Sequence, residues 1–282
     1  MKNFYITILI LPLLLALVIG CAQQKSHSQF ILVAHRGGVV DDTTSENSLK
    51  GLEAAIDRGY THVEVDVRVT KDGHAVCFHD NNLMREAGVD KNISDLTLEE
   101  VKQIKLTRSQ ESIPTFEEYC ARCAGRINIM VDTKSGEITA VDRYAREVEA
   151  ALKKHDLLKD ALIITNRPPS PNQQIVADYF MGKALVSWRN SLEETKQLAN
   201  SMTTDVGKLY FIFNSARYIT KQDIDGFHEL GLLVIPSVNL AHYKTGDPVE
   251  QGLADVKKML DWGVDGLQID SRFDPVVFER IK

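Results

Sequence analysis

Between Val33 and Asp80 the chain reads VAHRGGVVDDTTSENSLKGLEAAIDRGYTHVEVDVRVTKDGHAVCFHD, with His35 and His79 at opposite ends. Glu64 and Asp66 lie between them at the end of an apolar run, and Arg36 follows the first histidine directly. Two imidazoles can exchange a proton near neutral pH, carboxylates can hold a divalent cation, and a guanidinium can neutralise a phosphate. Together these groups supply what hydrolysis of a phosphodiester requires.

Residues so far apart must be brought together by a scaffold. Apolar or alternating runs at 30–34, 62–67, 127–131, 161–164, 183–187, 208–213, 232–235 and 266–269 read as strands. Helical periodicity fills 47–58, 98–104, 139–155, 170–180, 191–201, 221–230, 250–262 and 274–281. Strands alternating with helices argue for a parallel sheet, and eight such units predict an α/β fold closed into a TIM (β/α)8 barrel of one domain. No glycine-rich dinucleotide loop after the first strand favours the open doubly wound alternative.

Within that frame, side-chain parity sorts the polar residues. In Val63-Glu64-Val65-Asp66 the carboxylates share one face and the valines the other, and Asp132 and Lys134 share a face at the third strand's end. In a barrel these polar faces point inward at the C-terminal mouth, where active sites are built. Thr70-Lys71-Asp72-Gly73 is a hairpin signal that sends 74–78 back and returns His79 toward Asp66. Thr97 with Glu100 predicts a capping box, and Gly59 and Gly231 stand where helices end.

The N-terminus has its own chemistry. Met1-Lys2-Asn3, an apolar run from Phe4 to Ile19, and Gly20-Cys21 form the three parts of an export signal. The run Leu17-Val18-Ile19-Gly20-Cys21 resembles a bacterial lipobox, which implies cleavage before Cys21 and lipid attachment to its sulfur. Residues 1–20 are therefore read as a signal peptide, 21–29 as the lipidated cysteine and a polar tether, and 30–282 as the barrel domain. A plain signal peptide or an anchor helix is the alternative. The expected location is the bacterial cell envelope, outside the cytoplasm, with the membrane reached through the lipid.

Net charge is −6, and no basic run of five residues occurs, so nucleic acid is not an expected partner. Cys120-Ala121-Arg122-Cys123 has no second pair with which to complete a zinc site, and Cys77 lies in an apolar run. Free or locally bridged structural thiols are the reading for these cysteines.

The order and spacing of these motifs resemble the glycerophosphodiester phosphodiesterase family along nearly all of the 30–282 body. The resemblance rests on His35-Arg36-Gly37, Glu46-Asn47, Glu64-Val65-Asp66 with Thr70–Gly73, and His79-Asp80 with Leu83 and Arg85. It continues through Leu96-Thr97-Leu98-Glu99-Glu100, Ile113-Pro114-Thr115-Phe116, Gly263-Val264-Asp265-Gly266 and Asp270. It implies a barrel of the phospholipase-C-like type that splits glycerophosphodiesters into sn-glycerol 3-phosphate and an alcohol.

On that resemblance His35 and His79 serve as general acid and base, in an order left open. Glu64, Asp66 and Asp132 hold one hard divalent cation, Mg²⁺ or Ca²⁺, while Arg36 and Lys134 grip the phosphate. Glu46 either touches substrate or metal, or caps the helix it begins. His62, His74, His155, His228 and His242 carry no motif and read as structural. Asp132 stands where the family usually has Glu, and Pro236-Ser237-Val238-Asn239 where it often has Trp-Thr-x-Asn, which removes an aromatic wall. Trp188 or Tyr243 could replace that wall, or merely pack. A lysophospholipid or other phosphodiester substrate, or a catalytically inactive binding lipoprotein, is the alternative reading. The sequence leaves the oligomeric state open.

Overall fold

A computed structural model describes residues 29–134, 141–166 and 169–281. The signal segment, Cys21 and nearly all of the tether lie outside the described residues.

Eight positions around a ring are filled by parallel strands. In chain order the strands are β1 (Ile31–Ala34), β2 (His62–Val69), β3 (Ala75–Cys77), β4 (Asn128–Thr133) and β5 (Leu162–Ile164). They are followed by β6 (Leu185–Trp188), β7 (Tyr210–Ile212), β8 (Leu233–Val234), β9 (Ser237–Val238) and β10 (Gly266–Ile269). The sheet runs β8-β7-β6-β5-β4-β2-β1-β10-β9, with β3 added antiparallel to β2. Pro236 offers no N–H and splits one barrel strand into β8 and β9. Ile235 and Ser237 amides still donate to Ile212 and Asn214, and the Gln268 amide donates to the Pro236 carbonyl. Since β8 pairs with β7 and β9 with β10, the ring closes. The expected barrel is present, with its seventh strand kinked.

The helices are α1 (Leu49–Arg58), α2 (Met84–Ala87), α3 (Leu98–Gln103), α4 (Phe116–Cys123) and α5 (Val141–Lys154). The rest are α6 (Pro171–Phe180), α7 (Leu192–Ser201), α8 (Lys221–Glu229), α9 (Pro248–Asp261) and α10 (Asp274–Ile281). One expectation needs correction. The helix read at 98–104 is α3, but it does not belong to the outer ring. The helix that packs on α1 and α5 is α4. The stretch between β3 and α4 is a separate excursion with its own small core, built from Val76, Phe78, Leu83, Ile93, Leu96, Val101, Leu106 and Ile113. Local capping chemistry was a better guide: Thr97 and Glu100 form the expected box, and Gly59 closes α1 at φ 90°.

Alternation divides the strand residues between two cores. Val63, Val65 and Val67 join the layer between strands and helices. Val33, Met130, Leu162, Ile164, Phe211, Phe213 and Ile235 fill the barrel interior. Glu64 and Asp66 sit on the interior side of β2, above that plug. Cys77, Cys120 and Cys123 are buried free thiols, so the locally bridged alternative does not form.

Candidate active site

A cavity of about 790 Å³ opens at the C-terminal ends of the strands, and His35, His79, Glu64, Asp66 and Asp132 line one side of it. Parity put those side chains inward, and pairing aligns them: Asp66 is the register partner of Asp132 across β2 and β4.

The turn after β1 is shaped by close approach. Gly37 (φ 78°) and Gly38 (φ 127°) occupy left-handed backbone, and a Cβ on Gly38 would lie 2.1 Å from the Gly51 carbonyl oxygen. That contact seats the turn against the start of α1. The Arg36 amide donates to Glu64 Oε2 at 2.7 Å, and the Gly37 amide donates to the Glu64 carbonyl at 2.6 Å. The turn is thereby fixed to β2. Ser48, not Glu46, caps α1 by accepting from the Gly51 amide.

Each histidine is backed by an aspartate. His35 Nδ1 lies 2.6 Å from Asp270 Oδ1, and His79 Nδ1 lies 2.6 Å from Asp80 Oδ1. Burial alone would raise the Asp270 pKa, but the His35 bond and the Leu240 amide outweigh it and hold the carboxyl low. Burial likewise opposes ionisation of Asp80, yet Arg85 and His79 bring it down to about 2. Both aspartates are therefore anionic acceptors that fix ring orientation and leave Nε2 for the cavity. His79 Nε2 is 3.3 Å from Arg36 Nη2. Sequence reasoning gave neither aspartate a role; the His-Asp dipeptide was the available signal for Asp80, while Asp270 meets His35 only through the pairing of β1 with β10.

Glu64, Asp66 and Asp132 form one carboxylate cluster, with ligand oxygens all within 4.8 Å of one another. Burial, reinforced by the charges of Asp66 and Asp132, pushes Glu64 well above the carboxylate range. Asp66 is held below that range against its burial, by Lys134, by His79 and by Asn47. Asn47 Nδ2 donates to Asp66 Oδ2 at 2.8 Å while Asn47 Oδ1 accepts from the Asp66 amide at 3.0 Å. Sequence reading placed Asn47 in the Glu46-Asn47 motif but gave a role only to Glu46. Lys134 Nζ stands 2.6 Å from Asp132 Oδ2 and 3.0 Å from Asp66 Oδ1, inside the cluster.

These residues fit a hard divalent cation. The donor set is all oxygen, two of the three carboxylates are buried, and Asp132 Oδ1 is buried without a hydrogen-bond partner. The shorter Asp132 therefore still brings an oxygen to the cluster. Glu64 can remain ionised beside Asp66 and Asp132 only if positive charge beyond Lys134 joins them.

Glu46 stands behind Arg36. Its Oε2 accepts from Arg36 Nη1 at 2.6 Å, and its Oε1 accepts from Arg85 Nη2 at 2.6 Å. Arg85 also reaches Asp80 and Glu86, linking the excursion to the β1 turn. Of the two residues that could replace the lost aromatic wall, both pack elsewhere: Trp188 donates to Thr195, and Tyr243 donates to Asp255. Phe213, Tyr218 and Phe227 are the aromatic side chains that line the cavity. His242, read as structural, also lines it, and its pKa is lowered by burial and by the His35 charge.

Comparison with known proteins agrees with this geometry. A profile of the glycerophosphoryl diester phosphodiesterase family matches residues 35–272. The glycerophosphodiester phosphodiesterase of Bacillus subtilis (strain 168) is 25% identical over 285 residues, covering 91% of this chain and 88% of that protein. Glycerophosphodiester phosphodiesterase 1 of Homo sapiens is 31% identical over 139 residues, which are 46% of this chain and 39% of the human protein. The chain thus matches less than half the length of that mammalian relative. A phosphodiesterase of Oleispira antarctica, solved with the product sn-glycerol-3-phosphate, superposes with TM-score 0.68 at 20% identity, covering 90% of this chain and 96% of that one. A Parabacteroides distasonis glycerophosphodiester phosphodiesterase superposes with the same TM-score at 22% identity, covering 90% and 100%. These two likenesses establish the fold.

Proposed function

We propose that this chain, which belongs to the glycerophosphoryl diester phosphodiesterase family, hydrolyses glycerophosphodiesters to sn-glycerol 3-phosphate and an alcohol. The observation that carries the reading is the pair of aspartate-backed histidines at the mouth that also holds the three-carboxylate cluster.

In the reaction, one imidazole removes the proton of the attacking water as its oxygen bonds to phosphorus. The other imidazolium delivers a proton to the ester oxygen as the P–O bond to the alcohol breaks, so charge and protons balance. Asp270 and Asp80 hold the two rings in place and stabilise the imidazolium, which the base becomes and from which the acid starts. Glu64, Asp66 and Asp132 would hold one divalent cation, which supplies Lewis-acid neutralisation of the phosphate's non-bridging oxygens. Arg36, oriented by Glu46, and Lys134 contribute charge from the protein side.

The test is release of glycerol 3-phosphate from glycerophosphocholine by residues 22–282, with EDTA and with added Mg²⁺ or Ca²⁺. Metal-dependent release supports the reading and identifies the ion. A folded, metal-supplied protein that releases nothing from this or any other glycerophosphodiester would refute it. The lipobox-like run supports a second part of the proposal, that the enzyme is anchored to the cell envelope through Cys21. Metabolic labelling with radioactive palmitate should mark the expressed full chain and fail to mark Cys21→Ser; equal labelling of both would exclude that anchor.

A further inference from the structure

The wall of the cavity opposite the histidines has no part in the chemistry above. Counted from β1, the ring runs β1, β2, β4, β5, β6, so β6 stands across the barrel from the strand that ends in His35 and Arg36. In an eight-stranded barrel that diameter is about 15 Å between backbones, and side chains projecting from both walls shorten it to the length of a small headgroup.

Arg189, directly after β6, lines the cavity there, with its guanidinium over the Phe213 ring 4.5 Å from the centroid. A stacked guanidinium is held in one plane against the ring. Burial lowers its pKa, and the Asp132 charge only partly offsets this. The three neighbouring strands each add an asparagine to the same cavity: Asn166 after β5, Asn190 after β6 and Asn214 after β7. Amides beside a cation suit a polar anionic group. Among the described residues lining this wall the acid is Asp223, and its Oδ2 accepts from the Thr220 amide and hydroxyl at the start of its own helix.

We propose that Arg189, with Asn166, Asn190 and Asn214, forms a second anion subsite, and that the preferred diesters carry a carboxylate or phosphate on the leaving alcohol. The inference rests on the hydrolytic reading above and adds the class of headgroup. The arginine acts as a specificity determinant on the wall across the barrel from His35.

Two matched pairs of substrates test it. Glycerophosphoserine differs from glycerophosphoethanolamine by a carboxylate, and glycerophosphoinositol 4-phosphate differs from glycerophosphoinositol by a phosphate. In the wild-type enzyme the added anion should raise kcat/KM by about tenfold or more, chiefly through a lower KM. A gain in one pair alone identifies which anion the subsite takes. Arg189→Gln should erase the gain while leaving the ethanolamine and inositol diesters within about threefold of wild type, and Arg189→Lys should keep part of it. Equal rates within both wild-type pairs would overturn the proposal, and do so even if the Gln variant fails to fold. Equal slowing of all four substrates by Arg189→Gln would also overturn it. If none of the four is hydrolysed, the hydrolytic reading itself falls, and this inference with it.

Discussion

A histidine on a loop is a weak catalyst unless something fixes its ring, and here each ring is fixed by a carboxylate at 2.6 Å. His35→Ala or His79→Ala should lower kcat by about 10² to 10⁴ while the far-UV circular dichroism stays that of wild type. Asp270→Asn separates orientation from chemistry. It keeps the shape but replaces the anion with a neutral amide that no longer fixes the tautomer of the ring. We expect kcat to fall by at least about tenfold with KM little changed. An unchanged kcat would leave Asp270 a purely structural partner. The candidate groups that meet at the mouth were legible because their types and spacing fall within one local run and the next strand. Their partners were not. Asp270 lies 235 residues from His35, and no local pattern announces that barrel closure will bring them together.

At the scale of elements, one strand carries two kinds of chemistry. β2 begins with His62 at the barrel's lower face, carries Glu64 and Asp66 into the mouth and runs on to Val69. Burial lowers the His62 pKa to about 4, against an ordinary value near 6.5. The folded state therefore favours the neutral ring. Between those two pH values the unfolded chain binds more protons, so stability is complete above about pH 6.5 and declines as pH falls toward 4. The loss amounts to about 3 kcal/mol. His62→Asn should flatten the wild-type fall in urea-unfolding stability between pH 7 and 4.5, with the pH–rate profile unmoved; parallel curves for the two proteins would refute this. The excursion that delivers His79 offers a second separation. Ile93 is fully buried in its small core, and Ile93→Ala should cost about 2 to 5 kcal/mol there. Activity should drop and limited proteolysis should cut within 80–115, while the barrel body survives as a large fragment. Strand and helix positions were readable to within a few residues because period and capping are local. The excursion was not, since its apolar residues mimic one more barrel helix and only tertiary packing shows that they face one another.

For the molecule as a whole, the mouth stores repulsion that a cation would relieve. Glu64 and Asp66 are buried together beside Asp132, and Lys134 pairs with two of the three, Asp66 and Asp132. Without metal this arrangement favours a protonated Glu64 and lowers stability; with metal the same carboxylates would become ligands. Binding to the folded state alone adds RT ln(1 + [L]/Kd), about 2.7 kcal/mol at a hundred times Kd, which for a barrel of this size corresponds to a melting shift of about 5 to 10 °C. Mg²⁺ or Ca²⁺ should thus raise the melting temperature of the EDTA-treated protein by that order. Glu64→Gln should act in two opposite senses. It removes a buried like charge, so the metal-free variant should melt no lower than metal-free wild type, and it removes a ligand, so the response to cation should shrink. A variant that melts well below wild type in EDTA would show Glu64 to be stabilising rather than strained. An undiminished cation response would place the ion elsewhere. On the proposed reading stability and cation binding compete for the same three carboxylates, and the two melting curves separate them without an activity assay.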